Sequence, residues 1–141
     1  MRQYLKTGLL LLLLLGCDQT TQPDTSKPYT RWKSYDLHDY TIDQLRSCFC
    51  VLGGVTMTVT VRSDTVASVW NAADSSEAPS TISGFYLTVD SLFGIVRNPG
   101  ADSLVIHYDQ TYGYPDTLDI NPQQHPVDGG VLYVTSKLRI P

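Results

Sequence analysis

Glutamate is nearly missing from this 141-residue chain, with Glu77 the only one. Paired-carboxylate catalysis would therefore have to rest on aspartates, of which Asp109, Asp116 and Asp119 fall close together. Aspartates in such a Gly- and Pro-rich stretch ordinarily bond their own backbone as turn formers. Cysteine is scarce too, three in all, and no Cys-x-x-Cys stands at a helix start where a thiol would be activated. The chain has no Gly-x-Ser-x-Gly elbow, no Ser-x-x-Lys, no His-Glu-x-x-His and no phosphate-cradling Gly-rich loop, so the common hydrolase and nucleotide-binding signatures are absent. An Asp-x-Asp-x-Asp-Gly calcium loop is missing as well. No block of like charge runs along the sequence, and 42% hydrophobic with 17% charged residues excludes collagen-like, coiled-coil and strongly disordered classes. This length fits one folded domain.

The one long apolar run is Leu9 to Leu15, preceded by Arg2 and Lys6. It is far shorter than the roughly 20 residues a helix needs to span a bilayer, and reads as the core of a signal peptide covering residues 1–16. Leu14-Leu15-Gly16-Cys17 resembles the lipobox of bacterial lipoproteins. The resemblance implies a diacylglycerol thioether on Cys17, removal of the preceding segment and, often, acylation of the new amine. Two or three acyl chains anchor firmly where one binds marginally. Asp18 resembles an inner-membrane retention signal whose rule varies between bacteria, so the choice of membrane stays open. Without residues 1–16 the chain has 8 basic against 14 acidic residues, a formal charge of -6. That acidity argues against nucleic acid and against a polybasic membrane patch. The membrane is a partner through lipid alone, the domain lies outside the cytoplasm, and residues 17–27 form a polar tether.

The folded body is expected over residues 28–141. Tyr29, Trp32 and Asp36 sit at helical spacing behind Ser26, with Pro28 in the first turn. His38, Tyr40 and Ile42 share one face of a strand. Val55, Met57, Val59 and Val61 alternate with Thr56, Thr58 and Thr60 in the clearest strand of the chain, and Ser63-Asp64 supplies the turn into a third, Thr65 to Trp70. Residues 71–83 read as a long surface connection. Thr88 caps a second helix with the apolar stripe Val89, Leu92, Phe93 and Val96, ended by Asn98-Pro99-Gly100. Strands are expected at 103–109, 116–120 and 131–140. The fold class is α+β: an antiparallel sheet with two helices on one face, in an order that reads as a duplicated αβββ unit. Trp32 and Trp70 are expected to anchor the helix-to-sheet core.

With Cys17 assigned to lipid, Cys48 and Cys50 remain as a pair in an exported, oxidising setting. In a flat strand, residues two apart reach only the limit of disulfide geometry, so a bridge requires a local kink. Such a bridge either pins a strand end or serves thiol exchange. A zinc reading would add His38, His107 or His125, but no His-x-x-x-His or second Cys-x-x-Cys spacing supports it, and the expectation is no metal and no cofactor. In Tyr112-Gly113-Tyr114-Pro115, Gly113 can take positive φ and Tyr114 is held extended by the proline. Tyr112 and Tyr114 form either an exposed surface for an envelope protein or glycan, or part of the core.

Cys48-Phe49-Cys50, Leu92-Phe93, Tyr108-Asp109 and Tyr112-Gly113-Tyr114-Pro115 occur in an order that resembles a domain-of-unknown-function family of bacterial lipoproteins and secreted proteins, over Trp32 to Val134. That resemblance implies a shared fold, and the family carries no assigned activity to transfer. The expected function is a membrane-anchored, non-catalytic binding or envelope-assembly module, with thiol-redox or metal chemistry at Cys48 and Cys50 as the alternative.

Overall fold

Strict alternation produces strand β2, Thr56–Arg62, in which Met57, Val59 and Val61 are buried and the threonines between them point to the other face. The computed structural model describes residues 25–127 and 129–141. Residues 1–24, and with them the expected signal peptide, Cys17 and most of the expected tether, lie outside the described residues.

β2 pairs on one side with β1, Tyr40–Ser47, and on the other with β3, Thr65–Asn71. The β2–β3 turn places Ser63 and Asp64 both at positive φ, 46° and 63°, the backbone that matches the twist of a two-residue hairpin. The second half contributes β4, Leu104–Tyr108, β5, Pro115–Ile120, and β6, Val131–Arg139. All six strands form one antiparallel sheet in the order β3-β2-β1-β6-β5-β4.

Helix α1 spans Ser26–Ser34 and starts two residues ahead of the expected domain border, because Pro28 fits within its first turn. A short helix α2, Ser80–Ser83, lies within the connection read as plain surface, and α3 spans Val89–Arg97. Thr88 caps α3 by accepting the Ser91 N–H at 3.1 Å. Tyr40 adds a second cap from the sheet, its hydroxyl accepting the Val89 N–H at 2.9 Å, and burial pushes its pKa up to about 12. Trp32 of α1 and Val89 and Phe93 of α3 share a buried cluster with Tyr40, Ile42, Met57, Val59 and Val61. Leu92 and Val96 pack instead with Leu118 and Tyr133, so one helical stripe serves both halves of the sheet.

Trp70 departs from expectation: it is 39% exposed, while its neighbour Val69 is buried. Pairing of Val69 with Val59 and of Trp70 with Thr58 puts the indole on the threonine face, as period-two geometry requires. On that face a bulge at Lys137, φ 51°, brings two cations to one carboxylate. Asp43 accepts hydrogen bonds from Arg139 Nη2 at 2.7 Å and Thr58 Oγ1 at 2.8 Å, with Lys137 Nζ at 3.4 Å. Burial alone would raise this carboxyl, but the Arg139 and Thr58 hydrogen bonds outweigh it and hold the group below the usual carboxylate range.

Candidate functional site

β1 ends at Ser47, and the chain then bends sharply through Cys48-Phe49-Cys50. The bend brings the two cysteine Cα atoms to 5.3 Å and their sulfurs into a disulfide, which supplies the kink that a flat strand lacks. Backbone bonds close the loop: Cys50 N–H to the Cys48 carbonyl at 2.9 Å, Gly53 N–H to the Cys50 carbonyl at 3.0 Å, and Gly54 N–H to the Arg46 carbonyl at 2.9 Å. A Cβ on Gly53 would collide with the Cys48 carbonyl oxygen, so the loop is built around a residue without a side chain.

The tip of this loop is apolar and faces outward, with Phe49 83% and Val51 74% exposed. Beside it, Arg46 places its guanidinium 4.6 Å from the centre of the exposed Phe85 ring and donates from Nη1 to Cys50 Sγ at 3.3 Å. Arg46, Cys50, Val51, Ile82 and Phe85 border an open groove of about 440 Å³. Arg46 and Phe85 escape a reading of the sequence because they come from β1 and from the connection after β3. The only local hint is an aromatic residue in a stretch otherwise rich in Ser, Ala and Pro.

The tyrosine motif is placed differently. Tyr114 is buried edge-on against Trp32, and burial pushes its phenol up to about 12. Only 5% of Tyr114 is exposed, so this ring belongs to the core and not to an exposed binding surface. Tyr112 is half-buried against Tyr35, ring centres 4.8 Å apart. Gly113 takes φ 85° and lies directly under the Pro28 carbonyl of α1, where Arg31 also reaches the Gln110 carbonyl at 2.6 Å. The motif is therefore the seat of α1. Asp109 acts as a turn former, its Oδ1 accepting the N–H groups of Thr111 at 3.0 Å and Tyr112 at 2.6 Å.

The histidines stand apart from the cysteines. His38 precedes β1 and Cys48 follows it, so the full eight-residue strand, roughly 26 Å long, lies between them. His107 lies on β4, at the far edge of the sheet, and the side chain of His125 is outside the described residues. Among the described residues no group of three His, Cys, Asp or Glu side chains gathers as a metal site.

His38 pins the β2–β3 turn to the start of β1, with Nδ1 2.7 Å from Asp64 and Nε2 3.2 Å from Asp36. The Asp64 hydrogen bond and then the Asp64 and Asp36 charges raise its pKa above 6.5. A group whose folded pKa exceeds its unfolded one stabilises fully below the unfolded value and ceases to do so as pH rises through the folded value. The urea midpoint of the native chain should therefore exceed that of His38→Gln at about pH 5.5 and converge with it near about pH 9. A difference that grows with pH would refute this.

A family model described as a family of unknown function, DUF6174, matches residues 24–140, a wider span than the motifs mark. No curated protein and no solved structure matches the chain.

Proposed function

We propose, for a chain that belongs to the DUF6174 family of unknown function, a lipid-anchored binding module of the bacterial cell envelope. Cys17 carries the acyl chains, the domain stands outside the cytoplasm, and the disulfide-closed loop after β1 docks an apolar segment of an envelope protein. The observation behind this is Phe49: an aromatic ring 83% exposed, next to Val51, on a loop fixed by a covalent bridge and three backbone hydrogen bonds. An aromatic side chain buries on the order of 150–250 Å² when covered, and a rigid anchor loses little conformational freedom on binding. The Phe85 ring and the aliphatic part of Arg46 extend the apolar surface, and the guanidinium gives it a polar rim.

Further support for the architecture we infer comes from the sheet order, in which both three-stranded meanders run the same way, each after a helix. We read this as one αβββ unit used twice. Trp32, Val89 and Phe93 in a single cluster support the reading that α1 and α3 cover one face.

A photoreactive phenylalanine at position 49 of the full chain, expressed in bacteria, tests the docking surface. A discrete adduct is expected from position 49 and not from Tyr35, and Phe85→Asp should remove it. Equal labelling from both positions, or none from position 49, would sink the docking surface. Cys17→Ser should move the chain out of the membrane fraction; retention there would sink the anchor.

A further inference from the structure

We propose that the Cys48–Cys50 loop is a thiol–disulfide exchange site, with Cys50 as the exchanging sulfur, Cys48 as its resolving partner and Arg46 as the residue that stabilises the Cys50 thiolate. Three features set this bridge apart from one that merely staples a strand end. Cys50 is exposed while Cys48 is half-buried, so an incoming thiolate meets Cys50 first. Arg46 Nη1 lies 3.3 Å from Cys50 Sγ, a position from which a fixed positive charge favours the sulfur as an anion. The apolar groove of about 440 Å³ opens directly at Cys50, beside Val51 and Phe85, where chain flanking a partner's cysteine can lie. A purely structural bridge needs neither an accessible sulfur nor a guanidinium on it.

The partner is an exported protein with a reduced cysteine pair. One thiolate of that pair attacks Cys50 Sγ; the Cys48–Cys50 bond breaks, and Cys48 leaves as a thiolate that takes up a proton. The partner's second thiolate then attacks its own sulfur in the mixed disulfide and expels Cys50 as a thiolate beside Arg46. Two electrons pass from the partner to this pair: the partner gains a disulfide and Cys48 and Cys50 end reduced. Exchange with a second protein disulfide resets the pair by the same steps in reverse. Cys17, blocked as a thioether in the proposed anchor, takes no part. The inference rests on the docking reading for its partner but not for its chemistry, and glutathione separates the two.

The full chain, purified from membranes in detergent, is equilibrated with mixtures of reduced and oxidised glutathione, quenched with a maleimide and weighed. The pair is expected to move between zero and two additional labels across the series. In Cys48→Ser the chain should accumulate a mixed disulfide with glutathione at Cys50, about tenfold faster than Cys50→Ser does at Cys48. Adding Arg46→Gln to Cys48→Ser should slow labelling of Cys50 roughly three- to tenfold below its thiolate midpoint. The same change in Cys50→Ser should leave Cys48 labelling unaltered, whereas a loosened loop would speed both. A bridge that stays closed throughout the series, equal rates at the two cysteines, or no effect of Arg46→Gln on Cys50 would overturn the assignment. Exchange with glutathione together with no adduct at position 49 would retain the chemistry and discard the docking surface.

Discussion

Gln44→Leu is expected to lower the unfolding free energy by about 2–4 kcal/mol, read as a lower urea midpoint at unchanged slope. Gln44 is 0% exposed in the central strand β1. Its Nε2 donates to the Leu87 carbonyl at 3.2 Å and its Oε1 accepts the Leu87 N–H at 3.0 Å. One side-chain amide thus pairs with both backbone groups of the residue just ahead of the α3 cap. Leucine has a similar volume and adds apolar contact, which would favour the variant if packing decided the outcome. The lost pairing weighs more, since the Leu87 N–H and carbonyl sit in a part-buried setting and each such group left unsatisfied costs on the order of 1–3 kcal/mol. The start of α3 is also held by Thr88 and Tyr40, so the variant should fold with a weakened helix entry. A midpoint equal to or above that of the native chain would show that Leu87 finds other partners.

Gly113→Ala should be costlier, about 3–5 kcal/mol, from two separable causes. The first is the φ of 85°, where a Cβ is disfavoured by roughly 1–2 kcal/mol. The second is position: the added methyl would strike the Pro28 carbonyl oxygen and come within 3.1 Å of Arg31 Cβ, so α1 must shift. Gly54 isolates the first cause, because its φ is 82° and nothing lies within 4 Å of its Cβ direction. Gly54→Ala should therefore cost only the conformational part, and the difference between the two variants measures the seating of α1. Displacement of α1 exposes Trp32, so Gly113→Ala should also red-shift native-state tryptophan emission while Gly54→Ala does not. Equal losses in the two variants would mean that the helix moves aside freely.

Local pattern settled a good part of this molecule. Alternation in residues 56–61, the Thr88 cap with its four-residue stripe, the Ser63-Asp64 turn and the turn-forming role of Asp109 are all written in neighbours a few positions apart, where backbone geometry sets which side chains share a face. Cys48 and Cys50 are legible as a pair once Cys17 is assigned to lipid, and their spacing shows only that a bridge needs a kink. Local pattern does not place Trp70, because an indole suits either face of a strand and only the register against β2 fixes which one it takes.

The contacts that position the site belong to a different class. Gln44 meets Leu87 across 43 residues, Asp43 meets Arg139 across 96, and Gly113 meets Pro28 through a backbone approach that no side-chain pattern encodes. Phe85 reaches Arg46 only because the connection after β3 folds back to the end of β1 carrying the cysteines. Periodicity reports the direction a residue faces relative to its own strand or helix, whereas a partner's identity depends on how separate elements are laid against each other. The cysteine pair was therefore in the sequence, while the arginine on its sulfur and the groove beside it were decided by the tertiary fold.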